Sequence, residues 1–247
     1  MPKITTLLFD CDNTLVLSEE LAFEACAELG NEILAAHNVT DRYTGPQLLS
    51  EFVGQNFRGM MLSLQKKYNY AMDPAELESY VSREEDQVIA KLRAALRPCE
   101  GVDAELERLQ KIDNGGRYKL AVVSSSALRR VLASIEKVGQ TRFFKTEEVF
   151  SAASSLPKPT SKPDPAVYLH AMKSLGVQPP ECLAIEDSRS GATAAVRAGI
   201  TTVGYVGSYE GEEKQKEMAK MLSSVGCVKV MKHWREFEGV LGTIEAE

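Results

Sequence analysis

Four short stretches of the sequence carry residue types suited to chemistry. Residues 9–15 read FDCDNTL, with Asp10 and Asp12 two positions apart at the end of the apolar run Leu7-Leu8-Phe9. Residues 119–126 read KLAVVSSS, a hydrophobic run closed by Ser124, Ser125 and Ser126. Residues 161–168 read SKPDPAVY and carry Lys162, while residues 182–188 read CLAIEDS and carry Glu186 and Asp187. Alternate residues of a strand point the same way, so Asp10 and Asp12 would crowd one face if the strand continued. Like charges held together cost free energy unless a cation, a donor network or water offsets them.

Each stretch also has a plainer reading. Asp and Asn are common turn formers. Ser124 to Ser126, and equally Glu186-Asp187-Ser188, could do no more than cap the helices that follow. Lys158 competes with Lys162, since both precede a proline. Asp164-Pro165 is a strong helix start, which sets Lys162 just before a fixed element and leaves Lys158 in looser chain. Cys11, between the two acids, alternates to the opposite face and reads as a small buried residue.

The elements around these stretches explain how they could meet. A strand is expected over residues 4–9. The next block, 16–96, reads almost wholly as helix: apolar spacing of four from Ser18 through Ile33, a stretch at 47–67 interrupted around Gly54 to Gly59, and a helix from Asp73-Pro74-Ala75-Glu76 to Leu96. After Arg97-Pro98-Cys99-Glu100-Gly101 the pattern changes. Strands are expected at 118–123, 149–150, 182–185, 201–206 and 228–231, with helices at 102–111, 127–138, 165–175, 188–198 and 233–241. Such alternation predicts an α/β fold, a parallel sheet with helices on both faces, interrupted by an all-helical insertion. The expected domains are 1–15 with 97–247, and 16–96. In parallel α/β sheets ligands sit beyond the carboxyl ends of the strands, which is where all four stretches fall.

Composition narrows the function classes. The chain has 247 residues and a formal net charge of −6, with no basic block, so a nucleic-acid partner is not expected. A site for an anionic substrate must then be a local positive spot. The five cysteines are scattered with no CxxC pair, as in reduced thiols of a cytoplasmic protein. No apolar run approaches 18 residues, so no membrane span is expected, and the N-terminus has no signal-peptide pattern.

Taken in order, Asp10-x-Asp12-x-Thr14, the strand-ending Ser124, Lys162 before Pro163, and the pair Glu186-Asp187 resemble the four motifs of the haloacid dehalogenase-like hydrolases. The resemblance spans essentially the whole chain. It is to the Rossmann-like branch with a helical cap domain, which includes phosphoglycolate phosphatases and β-phosphoglucomutase. It implies that Asp10 is the nucleophile forming an aspartyl-phosphate and that Asp12 is the general acid and base. It further implies that Ser124, Ser125 and Lys162 bind phosphate, and that Asp10, Asp12 through its backbone carbonyl, Glu186 and Asp187 hold Mg²⁺. The implied substrate is a small phosphorylated metabolite, a sugar, sugar-alcohol or organic-acid phosphate, with 16–96 as a closing cap. Hinges would lie near 16–17 and 97–101. Arg58, at the helix break in GQNFRGM, is a candidate substrate contact in the cap. Asn13 stands where the family often has Gly, Leu17 where it often has an acid, and Ala22 where β-phosphoglucomutases tend to carry His. The rival readings are a sugar phosphomutase, a dehalogenase, against which Asp12 argues, and a phospho-acceptor signalling protein. Monomer and homodimer remain equally open from the sequence.

Overall fold

The computed structural model describes residues 3–52, 55–112 and 116–246, and the chain divides into two compact units, Met1–Leu17 with Arg97–Glu247, and Ser18–Leu96. The larger unit is built on six parallel strands: β1 (Thr6–Phe9), β2 (Lys119–Ser124), β3 (Val149–Ser151), β4 (Cys182–Glu186), β5 (Thr201–Tyr205) and β6 (Lys229–Met231), in the order β3-β2-β1-β4-β5-β6. β1, β4 and all of β2 after Lys119 are buried, as continuous apolar runs must be when both faces of a sheet are covered. The expected Rossmann-like α/β fold is therefore the observed one.

β1 is the central strand, with Phe9 in register with Val122 on one side and Ile185 on the other. The strand order reverses there, which opens a crevice at the carboxyl ends of β1, β2 and β4. Alternation along β1 feeds two cores. Leu8 joins Ala121, Val123 and Ala184 beneath α7 (Ala166–Leu175) and α8 (Arg189–Arg197). Phe9 turns the other way, edge-on to Phe144 at 5.8 Å and 5.9 Å from the ring of Trp234.

Trp234, the single tryptophan of the chain, is fully buried, and its indole N–H donates to the Thr14 carbonyl at 3.2 Å. It thus anchors the turn that follows the first acidic stretch. Trp234→Ala should cost about 3–5 kcal/mol through the cavity and the lost bond. A denaturant midpoint shifted by less than a third of that would show the anchor to be dispensable.

The second unit packs α1 (Glu19–Ala36) against α2 (Gly45–Glu51) and α4 (Pro74–Ala95), with α3 (Phe57–Tyr68) completing a core that includes Leu29, Ile33, Met61 and Leu64. Side chains cap three of its helices. Thr44 and Gln47 form a capping box, Asn56 accepts from Gly59 N–H at 2.9 Å, and Asp73 accepts from Ala75 N–H at 2.7 Å. The expected break at Gly54 lies outside the described residues, as does most of the turn at 113–116. The two linking segments are paired: Leu17 N–H donates to the Arg97 carbonyl at 3.0 Å, and Cys99 N–H to that of Leu15 at 2.9 Å.

Two elements differ from the sequence reading. Helix α9 (Glu212–Val225) was not expected at all; of its residues only Leu222 is fully buried, so EEKQKE carries little apolar rhythm. The last helix also begins later: a 3₁₀ turn at Trp234–Glu236 leads into α10 (Phe237–Ala246), whereas the pattern suggested 233–241. The remaining helices, α5 (Val102–Lys111) and α6 (Leu128–Lys137), match their expected spans within a residue. Among the described residues no helix is long and apolar enough to cross a membrane.

Candidate active site

The first acidic stretch leaves the sheet in two steps. Asp10 N–H still donates to the Ile185 carbonyl at 3.0 Å, which fixes Asp10 at the sheet's carboxyl edge. The chain then turns about the Cys11 carbonyl, which accepts from Leu15 N–H at 2.9 Å and Val16 N–H at 3.1 Å. The turn puts Asn13 at φ +58°, a left-handed conformation that Asn and Gly tolerate and branched residues do not. This explains how Asn serves at a position where the resemblance leads to the expectation of Gly. Asn13→Gly should leave thermal stability nearly unchanged and Asn13→Val should lower it by about 1–2 kcal/mol; equal melting curves for the two variants would contradict this.

Lys162 reaches the same place from the loop after β3, its backbone N–H donating to Ser125 Oγ at 3.1 Å. Its buried ammonium has three acceptors, one for each N–H: Asp10 Oδ1 at 2.6 Å, Glu186 Oε1 at 2.6 Å and the Val123 carbonyl at 2.7 Å. Lys158 is exposed. Burial opposes the Lys162 charge, but Asp10 and Glu186 outweigh it and raise its pKa. The Asp10 carboxyl is pushed up to about 7, chiefly by burial; Lys162 opposes this, and Glu186 and Asp12 add to it. Cys11 is buried, and burial raises its thiol well above the ordinary range, so it stays protonated and inert.

The helix-capping alternatives can be checked directly. The Leu128 N–H at the start of α6 goes to Ser154 Oγ at 3.1 Å, not to the serine triplet. Ser188, not Glu186 or Asp187, caps α8, accepting from Gly191 N–H at 3.1 Å. The serines instead divide other tasks. Ser124 is fully buried, and its Oγ accepts from Ser126 N–H at 3.0 Å. Ser126 Oγ donates to Asp12 Oδ2 at 2.7 Å, and Arg130 Nη2 donates to Asp12 Oδ1 at 3.3 Å.

Asp10, Glu186 and Asp187 offer carboxylate oxygens that all lie within 4.8 Å of one another. Glu186 Oε2 is buried and has no hydrogen-bond partner among the described residues. A β-carbon at Gly191 would fall 1.8 Å from that oxygen, so any side chain there would displace the Glu186 carboxylate. An all-oxygen, anionic set with an unsatisfied buried oxygen fits a hard divalent cation, one of the Mg²⁺ class. The Asp12 carboxylate is outside this trio, turned to Ser126 and Arg130. Cation and proton compete for Asp10, so cation affinity should fall about tenfold per pH unit below about 7 and level off above it. Calorimetric titrations across that range test this, and a flat pH profile would rule it out.

Asp10, Asp12, Ser124, Ser125, Lys162, Glu186 and Asp187 thus gather at one edge of the sheet. Arg58 is in the helical unit, where both its terminal nitrogens bind the Glu78 carboxylate in an exposed pair. Sequence reasoning missed Ser126, Arg130, Tyr168 and Tyr209. Tyr168 donates to Glu186 Oε1 at 2.5 Å and Tyr209 to Asp187 Oδ2 at 3.0 Å. For Ser126 the signal was its place in the triplet; for Tyr168, its place on the inward face of α7.

Comparison with known proteins adds independent findings. The family model described as haloacid dehalogenase-like hydrolase matches residues 7–205. The 6-phosphogluconate phosphatase of Escherichia coli is 28% identical over 208 residues, covering 81% of each chain. The phosphorylated carbohydrates phosphatase of Thermotoga maritima is 27% identical over 197 residues, 80% of this chain and 82% of that one. Among solved structures, a hydrolase of the same family from Deinococcus radiodurans, with bound phosphate and sodium, superposes with a TM-score of 0.72. It is 24% identical and covers 98% of this chain and 97% of its own, a likeness of fold.

Proposed function

The chain belongs to the haloacid dehalogenase-like hydrolases and is a phosphoric monoester hydrolase, and we propose that it is a Mg²⁺-dependent phosphatase of small phosphorylated carbohydrates or related metabolites. The observation that carries this reading is the buried Lys162 ammonium bridging Asp10 and Glu186, which together with Asp187 form a trio of carboxylates close enough to share one cation. The Lys162 ammonium offsets part of the charge of these acids, and a divalent cation on the same oxygens would complete the neutralisation that an incoming phosphoryl group needs. The sugar-phosphate class is supported by the names of the two relatives above.

Asp10 attacks phosphorus, the bond from phosphorus to the alcohol oxygen breaks, and Asp12 gives its proton to the departing alkoxide. Asp12, now a carboxylate, takes a proton from water, which attacks the aspartyl-phosphate at phosphorus and releases inorganic phosphate and the Asp10 carboxylate. Lys162, giving up one of its carboxylate acceptors to the incoming phosphoryl group, holds the phosphoryl oxygens in line during both steps together with Ser124 and Ser125. A Mg²⁺ held by Asp10, Glu186, Asp187 and the Asp12 backbone carbonyl would supply neutralisation of the phosphoryl charge. Ser126 and Arg130 fix the rotamer of Asp12, so the proton donor meets the leaving oxygen without a search. Selection of the leaving group is assigned to the inserted helical unit.

Phosphate release from a panel of phosphomonoesters, with and without chelator, tests the proposal. Turnover of sugar phosphates to inorganic phosphate, lost with chelator and restored by Mg²⁺, is the expected result. Three outcomes would overturn it: turnover that survives chelation, an isomeric sugar phosphate as product, or a stable phosphoprotein without turnover.

A further inference from the structure

Each of the two acids at the end of β4 has a tyrosine hydroxyl behind it. Tyr168, fully buried on α7, donates to Glu186 Oε1, the oxygen that also accepts from Lys162. Its ring lies under the same ammonium, 5.3 Å from Nζ to the centroid. Two donors therefore hold Oε1, and the missing side chain of Gly191 leaves the space that Oε2 occupies. The Glu186 carboxylate is held at one oxygen and left with the other unsatisfied.

Tyr209 does the matching task for Asp187 from the loop between β5 and α9. Its hydroxyl is 3.0 Å from Asp187 Oδ2 and 3.3 Å from the Asp187 carbonyl oxygen. Its ring packs against Ala192, Val206, Leu222 and Cys227, and its own carbonyl accepts from Gln215 Nε2 at 3.0 Å, so the hydroxyl is held from a fixed base. Phenylalanine would fill either ring position equally well. What only tyrosine supplies is the donor to the carboxylate. A buried hydroxyl costs free energy unless bonded, so the fully buried Tyr168 must bond somewhere. The half-buried Tyr209 places its hydroxyl on the neighbouring acid as well, and two such placements on adjacent acids ask for a reason beyond packing.

We propose that Tyr168 and Tyr209 are positioning residues that preset the Glu186 and Asp187 carboxylates for a divalent cation, one tyrosine for each acid. The inference rests on the reading of these acids as a cation site. Partners of ligating carboxylates orient the ligand and lower the entropy lost on binding, and their loss weakens metal affinity by about 10–100-fold.

The test is a calorimetric Mg²⁺ titration of chelator-stripped protein without substrate, together with melting curves recorded without cation. Wild type, Tyr168→Phe, Tyr209→Phe and Tyr205→Phe are compared. Tyr205 is a buried tyrosine on β5 whose ring packs on Trp234, and it serves as the control. Tyr168→Phe and Tyr209→Phe should each bind Mg²⁺ about tenfold more weakly, and Tyr205→Phe within about twofold of wild type. The inference is overturned if both phenylalanine variants at 168 and 209 bind as wild type does, or if Tyr205→Phe weakens binding as much. A loss at one position alone overturns the assignment of the other tyrosine. A wild type that binds no Mg²⁺ overturns the cation site itself, a failure visible before any variant is measured.

Discussion

Asp10→Asn is expected to abolish phosphate release while leaving the fold as stable as before or more so. The substitution keeps the shape and removes the attacking oxygen, and loss of a covalent nucleophile costs on the order of 10⁴-fold or more in rate. Stability should move the other way. The Asp10 charge is held in a buried place that raises its pKa, so a neutral amide there removes a desolvation cost. Lys162 keeps Glu186 as its counter-ion. Initial rates and melting curves on one preparation separate the two effects. A variant retaining more than about a hundredth of the wild-type rate, against the loss expected of a nucleophile, would remove Asp10 from its assigned role.

Lys162→Met should damage both activity and fold. The side-chain volume is nearly kept, but Asp10 and Glu186 lose the cation between them in a place almost closed to solvent. Breaking a buried pair by removing one partner costs about 3–5 kcal/mol, because an uncompensated charge is left behind. Here two carboxylates would face each other, and one would take up a proton to relieve the repulsion. Added Mg²⁺ should recover part of the lost stability, more than it adds to wild type, since a divalent ion can neutralise the same oxygens. Denaturant midpoints with and without Mg²⁺ measure this. A midpoint unchanged by the substitution would mean that the bridge contributes nothing.

The sheet was legible because buried parallel strands write themselves as short apolar runs, and LLF, LAVV and CLAI stand out against their polar flanks. Which end of each strand mattered followed from the polar residues just beyond it. Lys162 could be preferred over Lys158 because Asp164-Pro165 announces the helix that fixes it. Helix α9 escaped because a helix with one fully buried side chain has almost no periodicity to read; the glycines at 211 and 226, both with positive φ, were its only punctuation.

Contacts made across loops were illegible for a different reason. Ser126 meets Asp12 across 114 positions of sequence, and Tyr168 meets Glu186 only because α7, packed over β2 and β3, brings its inward face to the end of the neighbouring strands. Sequence periodicity shows which side of an element faces inward, not which partner waits there. The functional acids, serines and lysine could be named as candidates, whereas the side chains that hold them still could not.

The central claim is that Asp10 carries the phosphoryl group between substrate and water. Rapid acid quench of the enzyme during turnover, followed by borohydride reduction and peptide mass spectrometry, tests it most directly. Homoserine at position 10, absent without substrate, is the predicted result. Inorganic phosphate released with Asp10 unmodified at every quench time, or the phosphoryl group found on another residue, would contradict it.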